Sequence, residues 1–271
     1  MSNSLNRENH QMLNFLKYFA LLTLVFFIAQ PVFSGERPKH PSSHGEKGKG
    51  GHGYGRHKMP PDNIPAHIKE RTSQDRTGVN LNNSKVGILG IKIMAESPEL
   101  KNVVSLALKR NKLGDDGVKI LSESETFKHV QLLSLWENGI SAQGALMIAE
   151  SSNFRNLKEL NLMRNAIGDE GIAALVESSN TLNITFLDLS ENQITDQGAM
   201  AIAQSPNLSN LKRLDLFRNS IGPEGFKALL QSKTLMNLEY LDIIGNPIEA
   251  ETAYKISESQ TLPNLKSLIM N

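Results

Sequence analysis

The sequence contains no cysteine, which excludes a disulfide framework, a thiol nucleophile and a thiolate metal site. Aromatic residues make up only 6% of the 271-residue chain. A core of repeated aliphatic side chains is therefore a better expectation than a core built on large rings. The formal net charge is only +1, so no overall basic excess indicates nucleic-acid binding.

Long hydrophobic runs are also scarce, and the main apolar run lies in residues 1–34. A polar segment ends at Lys17, and a mostly apolar stretch then runs from residue 18 to residue 29. Val32 and Ser34 stand before Gly35 where a signal peptidase would cleave. Because this stretch is shorter than the roughly 20 residues of a spanning helix, we predict a signal peptide. The protein is then secreted or periplasmic, without a stable membrane span after cleavage; an uncleaved membrane anchor is the alternative.

Residues 35–76 are rich in Gly, Pro, Ser, Lys and His and poor in apolar side chains. Such a segment cannot bury enough surface to offset its ordering entropy, so we predict a disordered linker. Its histidines allow either a transition-metal site or a solvated tether that contacts an anionic surface. No carboxylate or cysteine completes a metal site, and we predict no metal and no cofactor. The histidines are His40, His44, His52, His57 and His67.

An asparagine recurs every 27 residues in the rest of the chain, preceded each time by an L-x-x-L-x-L frame. One example is Leu157, Leu160 and Leu162 before Asn165. This fixed period predicts one strand and one helix per repeat over residues 77–271. The amide both donates and accepts, so stacked asparagines can satisfy buried backbone along a solenoid. The predicted ladder consists of Asn111, Asn138, Asn165, Asn192, Asn219 and Asn246.

Two other residue types recur at the same period. Glycines stand where each helix begins, and we expect them to permit a close approach of helix to sheet. Serines stand where each helix ends, and we interpret them as structural and not nucleophilic. The glycines are Gly117, Gly144, Gly171, Gly198 and Gly225; the serines are Ser97, Ser124, Ser151, Ser178, Ser205, Ser232 and Ser259.

The pattern L-x-x-L-x-L-x-x-N-x-I-G-D-E-G, seen at residues 157–171, closely resembles the ribonuclease-inhibitor class of leucine-rich repeats. That class is shared with Ran GTPase-activating proteins and many bacterial repeat proteins. The resemblance implies an α/β horseshoe with a concave parallel sheet, convex helices and a protein ligand on the concave side. Animal and plant extracellular members commonly carry disulfide-bonded caps, so the absence of cysteine favours a bacterial exported member. The ligand is not identified by fold.

Outward strand positions within this frame give a candidate binding surface. Aromatic and arginine side chains among charges are typical of binding hot spots, and we predict that the aromatic residues are exposed. The alternative is that the rings pack on one another along the sheet. Three aspartates are stacked one per strand and should repel one another. The candidates are Trp136, Phe217, Phe186, Tyr240, Met163, Arg164, Arg218, Asp188, Asp215 and Asp242.

These features favour a non-catalytic protein-interaction module. No catalytic constellation is recognisable, and His129 is expected at a turn. The alternatives are a regulator of a small GTPase, similar to a GTPase-activating protein, and a metal- or surface-binding tether through the linker. The last unit stops at its strand, residues 265–270, and such an edge can pair with another chain. Self-association there is one hypothesis, and a short solvated edge is the other.

Overall fold

A computed structural model describes residues 61–270 of the chain. Eight parallel strands form one sheet in which the spatial order follows the sequence order. Each strand has three residues, and residues 27 positions apart are partners, as in Leu133↔Leu160. The strands are β1 Gly78–Asn80, β2 Ser105–Ala107, β3 Leu132–Ser134, β4 Glu159–Asn161, β5 Phe186–Asp188, β6 Arg213–Asp215, β7 Tyr240–Asp242 and β8 Ser267–Ile269.

A helix follows each strand from β1 to β7, and neighbouring helices pack side by side. Short 3-10 helices, such as Glu125–Phe127, precede strands β2 to β6. The α-helices are α1 Ile64–Glu70, α2 Gly87–Ala95, α3 Gly114–Glu123, α4 Ala142–Glu150, α5 Gly168–Glu177, α6 Asp196–Gln204, α7 Pro223–Leu230 and α8 Ala250–Ser257. Within residues 61–270, none of them is long and apolar enough to cross a bilayer.

The core lies between the sheet and the helices. The middle residue of each strand points into it because side chains alternate along a strand, and Leu106, Leu160 and Leu214 are fully buried. The aliphatic residue two positions after each ladder asparagine, such as Ile167, is buried as well. The predicted fold class is thus confirmed: a leucine-rich-repeat solenoid with a parallel sheet on one side and helices on the other.

Three of the five recurring glycines lie against an acidic side chain of the preceding helix, where we expected a close approach to the sheet: Gly144 against Asp115, Gly198 against Asp169 and Gly225 against Asp196. The carboxylate of Asp169 in α5 accepts hydrogen bonds from the backbone N–H groups of Thr195 and Gly198 at the start of α6, at 2.8 and 3.0 Å. A Cβ on Gly198 would collide with this carboxylate. An acidic residue in one helix therefore caps the next helix, and glycine leaves the space that this cap needs.

Five of the seven recurring serines donate hydroxyl hydrogen bonds between repeats, which agrees with their structural interpretation. The hydroxyl of Ser151 donates to the carbonyl of Ser122 at 2.7 Å, and that of Ser205 donates to the carbonyl of Val176 at 2.6 Å. Each bond connects the end of one helix to the preceding repeat. The serines thereby satisfy helix-terminal carbonyls that have no partner within their own helix.

The prediction of a disordered linker over residues 35–76 is wrong for residues 61–76. Asn63 caps α1, whose Ile68 is only 6% exposed, and Thr72 forms an antiparallel bridge with Val79 of β1. Few apolar side chains suffice here because they add to the solenoid's core and need not build one of their own. The remainder of the predicted linker, residues 35–60, and the predicted signal peptide lie outside the described residues.

Strand β8 is the last strand of the sheet, and its residues are partly exposed. Leu268 and Met270 pack partly against the core. Ile243 donates its backbone N–H to the carbonyl of Ile269 at 2.8 Å, which joins β8 to β7. Self-association through this edge stays a prediction.

Candidate functional site

Two sets of side chains line the strand side of the solenoid. We define the sheet face as the first and third residues of β2 to β7, which point away from the core. We define the rim as the residues two and three positions after these strands. The sheet face comprises Ser105, Ala107, Leu132, Ser134, Glu159, Asn161, Phe186, Asp188, Arg213, Asp215, Tyr240 and Asp242. The rim comprises Lys109, Arg110, Trp136, Glu137, Met163, Arg164, Ser190, Glu191, Phe217, Arg218, Ile244 and Gly245.

The four aromatic candidates and Met163 are half-buried, although the sequence predicted that the aromatic residues would be exposed. The parallel register places each of them beside the equivalent residue of the next repeat, as in Phe186↔Arg213 and Arg213↔Tyr240. The strongly exposed large apolar side chains of the described region are elsewhere, at Leu89, Leu182, Met236 and Tyr254. Neighbouring long side chains therefore cover part of each ring.

Cationic groups lie over the aromatic rings. The Lys109 ammonium is 3.1 Å from the centre of the Trp136 ring, and the Arg218 guanidinium is 4.9 Å from the centre of the Phe217 ring. Such contacts are favourable because the face of an aromatic ring carries partial negative charge. The rings thus pack with cations, which differs both from full exposure and from the predicted alternative of ring-to-ring packing.

Trp136 and Lys109 pack against each other on the rim. The Trp136 Nε1 is buried and has no hydrogen-bond partner among the described residues. A buried donor left unpaired costs about 1–3 kcal/mol. The pKa of Lys109 is lowered to about 8, first by burial and next by the charge of Arg110, while Glu137 opposes the shift.

The three stacked aspartates are buried, although the sequence placed them at outward strand positions as candidates for partner binding. Asp188, Asp215 and Asp242 are 8%, 7% and 6% exposed. Asp188 and Asp242 accept hydrogen bonds from the backbone N–H two residues later, at Ser190 and Ile244, both at 3.0 Å. The side chains fold back over the strand end because the chain turns there and its N–H groups leave the sheet.

Ionisation of Asp188 is unfavourable within the aspartate stack. Burial, and next the neighbouring Asp215 carboxylate, raises the pKa of Asp188 to about 7. The hydrogen bonds from Ser190 and the charge of Arg213 act in the opposite direction. Asn161 stabilises the Asp188 carboxylate at one end of the stack, since its Nδ2 donates to Asp188 Oδ2 at 3.0 Å.

The rim carries charges of alternating sign along successive repeats. Arg110 lies 2.7 Å from Glu137, Glu137 lies 3.5 Å from Arg164, and Arg164 lies 3.0 Å from Glu191. Hydrogen bonding to Glu191 raises the pKa of Arg164. Two predicted binding arginines therefore differ: Arg164 lies between two glutamates, whereas the exposed Arg218 lies over Phe217.

The six ladder asparagines are buried and bridge consecutive repeats. Each Nδ2 donates to the backbone carbonyl of a leucine 30 residues earlier, as Asn192 does to Leu162 at 2.9 Å. The Oδ1 of Asn219 accepts the backbone N–H groups of Asn192 and Ile194 at 2.9 and 3.1 Å. The ladder therefore fixes the spacing of the strand ends on which the rim stands.

Lys109, Arg213 and Glu159 belong to this surface and were not among the ten residues predicted to bind a partner. The signal that could have selected the two cations is the 27-residue register, which places each beside a candidate ring. Glu159 is half-buried between Leu132 and Phe186 on the neighbouring strands. Burial raises the pKa of Glu159, and no other described residue donates a hydrogen bond or an ion pair to its carboxylate.

The described residues contain no group of three or more His, Asp or Glu side chains placed to hold a metal ion. His67, one of the five histidines considered for a metal site, lies in helix α1, before the first strand of the sheet. Its Nε2 is 2.9 Å from the hydroxyl of Ser84, which stands at the asparagine position of the first repeat. The other four histidines lie outside the described residues.

A comparison with known protein families agrees with this architecture. Four segments match a family model described as Leucine Rich repeat: residues 99–122, 155–176, 182–203 and 207–230. No curated protein matches the sequence. Among solved structures, the chain is similar to the plant peptide hormone receptor RGFR1 in complex with RGF2, at 18% identity and a TM-score of 0.37. That match covers 68% of this chain and 26% of the receptor chain.

Proposed function

We propose that this chain is a non-catalytic interaction module that binds a protein ligand on the sheet face and rim. The observation that carries the proposal is the series of half-exposed rings along one side of the sheet, each covered by a long cationic side chain. Lysine and arginine side chains can move from a ring when a ligand arrives, which exposes apolar area and keeps a charge beside it. Aromatic and arginine side chains dominate binding energy in many interfaces. The rings are Trp136, Phe186, Phe217 and Tyr240.

The rigidity of the scaffold supports the same proposal. The buried asparagine ladder and the parallel register hold the rim residues at fixed spacing before any ligand binds. A preorganised surface loses less conformational entropy on association, so more of the contact energy remains as affinity. Leucine-rich repeats are, as a class, protein-interaction modules, and this surface is suited to that use.

A capture experiment tests the proposal. The immobilised full chain would be incubated with surface and secreted protein extracts, beside a variant that carries Trp136→Ala and Phe217→Ala. A Tyr254→Ala variant is the matched control, because Tyr254 is an exposed aromatic residue on helix α8, away from the sheet face. We expect a protein that the parent and the control retain and the double variant loses. Equal retention by all three proteins would contradict the proposal.

We also propose that the protein is exported through residues 1–34 and belongs with the ribonuclease-inhibitor-like repeats of bacteria. The order of polar, apolar and small residues supports export, and the repeat consensus supports the subclass. Expression in a bacterial host followed by N-terminal sequencing of the secreted protein tests the first point. A mature chain beginning at Gly35 is expected, and a chain that stays in the membrane with its N-terminus intact contradicts it.

A further inference from the structure

Glu159 occupies a distinctive place on the sheet face. From β3 to β7, the first residues of the strands are Leu132, Glu159, Phe186, Arg213 and Tyr240, and all five are half-buried. Neighbouring strands in a sheet lie about 4.8 Å apart. The Glu159 carboxylate is therefore flanked by an apolar side chain on one side and a phenyl ring on the other.

Every other carboxylate whose contacts are given above has a partner. Asp188 accepts from Asn161 and Ser190, Asp215 pairs with Arg213, and Asp242 accepts from the backbone of Ile244. On the rim, Glu137 and Glu191 pair with arginines. Glu159 has no such partner among the described residues, although burial already raises its pKa. Burying an ionised carboxylate without a partner costs free energy, and a cation that binds beside it offsets that cost.

The chain contains an internal example of what such a partner would do. Arg213 stands two strands further on at the same strand position, and its Nε is 2.9 Å from Asp215 Oδ2. Its guanidinium lies 5.3 Å from the centre of the Phe186 ring and 4.3 Å from the centre of the Tyr240 ring. One guanidinium on this surface thus contacts a carboxylate and two aromatic rings at the same time.

We propose that Glu159 anchors an arginine side chain of the protein ligand, presented by an extended segment that crosses the sheet face. The arginine pairs with the Glu159 carboxylate and stacks on Phe186, on the side opposite to Arg213. Charge complementarity supports this occupant, because Glu159 has no cationic partner among the described residues, whereas Asp215 on the same face is paired with Arg213. A planar guanidinium suits the site better than an ammonium, since it stacks and donates in two directions. The inference rests on the proposed binding function.

Peptide binding tests the anchor directly. The full chain would be applied to arrays of extended nine-residue peptides with randomised flanks and a central arginine, lysine or citrulline. The proteins compared are the parent, Glu159→Gln, and Glu170→Gln, which removes the same charge from an exposed position of helix α5. We expect arginine peptides to be preferred over citrulline peptides by the parent and by Glu170→Gln. In Glu159→Gln this preference should fall by about tenfold.

Either of two array results overturns the proposal: no preference for arginine in the parent, or the same preference in Glu159→Gln. A second readout does not depend on peptide affinity. Carbon-13 NMR of the Glu159 carboxyl group would follow its pKa with and without Nα-acetylarginine amide, and with the citrulline analogue. We expect the arginine compound alone to lower the pKa, and an unchanged pKa contradicts the anchor.

The two proposals fail in different ways. If Trp136→Ala with Phe217→Ala abolishes capture of a ligand and Glu159→Gln leaves it unchanged, the sheet face binds protein and the anchor is wrong. If neither variant changes capture, the proposed function fails as well. Glutamine keeps the size of the side chain and removes an uncompensated charge, so Glu159→Gln should fold at least as stably as the parent.

Discussion

The Arg213 guanidinium lies 4.3 Å from the centre of the Tyr240 ring and bonds to Asp215 on its own strand. This single side chain joins β5, β6 and β7 on the sheet face, because it also lies beside Phe186. The contact explains why the two rings are half-buried and why the Asp215 charge is tolerated where it is 7% exposed. The surface that we propose as a binding site is therefore already held in place before a ligand arrives.

Replacing Arg213 should destabilise the sheet. Arg213→Ala removes a hydrogen-bonded cation from Asp215 and uncovers two rings, and we expect a loss of about 1–3 kcal/mol in the free energy of unfolding. Lys212→Ala is the control, since Lys212 is exposed and its contact with Glu239 is long, at 3.9 Å. Urea denaturation followed by circular dichroism measures both. Equal losses in the two variants would show that the Arg213 contacts contribute nothing specific.

Asp188 should make stability depend on pH. Burial, and next the Asp215 carboxylate, raises its pKa from the ordinary 3.8 to about 7. Between these values the folded protein holds a proton that the unfolded chain has released. The stability that this proton supplies is fully present below about pH 4 and is lost as pH rises through 7. Asp188→Asn removes the charge, so its melting temperature relative to the parent should become more favourable from pH 5 to pH 8.

The control for this pH experiment is Asp116→Asn at an exposed position of helix α3. Its melting temperature relative to the parent should be the same at both pH values. Differential scanning calorimetry at pH 5 and pH 8 gives the comparison. A difference for Asp188→Asn that stays constant with pH would mean that Asp188 is ionised at both values.

The buried asparagine ladder should matter far more than its exposed counterpart. Asn192→Ala removes the amide that donates to the carbonyls of Leu162 and Ser190 and leaves the buried N–H of Ile167 without its acceptor, and we expect a loss of about 2–3 kcal/mol. Asn210→Ala removes one exposed bond to the carbonyl of Leu182, where water can replace the amide. That variant should lose less than about 1 kcal/mol. Chemical denaturation measures the free energy of unfolding of both variants. Comparable losses in the two variants would contradict the structural role of the ladder.

Gly198 and Asp169 should be energetically coupled. Gly198→Ala forces a methyl group against the carboxylate that caps α6, at a cost of about 2 kcal/mol. Asp169→Ala removes that cap, at a cost of about 1 kcal/mol. In the double variant the collision with the carboxylate disappears, so the combined loss should be smaller than the sum by about 1 kcal/mol. A double-mutant cycle measures the coupling, and additive losses would refute it.

The N-terminal cap should stabilise the repeats. A chain that begins at residue 77 lacks Ile68 and the pairing of Thr72 with Val79, which leaves the β1 edge and its core residues open. Compared with a chain that begins at residue 61, we expect it to lose about 2 kcal/mol or more. Thermal unfolding of both chains is the measurement. The same melting temperature for both would mean that residues 61–76 contribute nothing to the fold.

The sequence predicted the fold because its signal is repeated. A period of 27 residues places Leu106, Leu133 and Leu160 in equivalent positions, and only a solenoid buries all of them by the same rule. The boundary of the domain was harder to predict. Residues 61–76 have the composition of a linker, and their order depends on contacts with β1 and α2 that composition does not record.

For the candidate surface, too, the sequence predicts one part of the arrangement and not another. The residues that share a row on the sheet follow from sequence alone, since the period fixes the register of β4, β5 and β6. The direction in which each side chain points does not follow from the sequence. Asp188 turns to the backbone of Ser190, whereas Glu159 lies between apolar neighbours without a partner in the described chain. The same residue class therefore serves the fold at one position and remains available at another.

What the sequence by itself determined is the repeat, its parallel sheet and the set of residues on each face, because these depend on periodicity. Only the tertiary structure decided which of those residues are already paired. Pairing depends on distances of a few ångströms between side chains of different repeats, such as the 3.1 Å from Lys109 to the Trp136 ring. A one-dimensional pattern places two residues side by side, but burial and geometry determine whether they bond to each other, to the backbone or to neither.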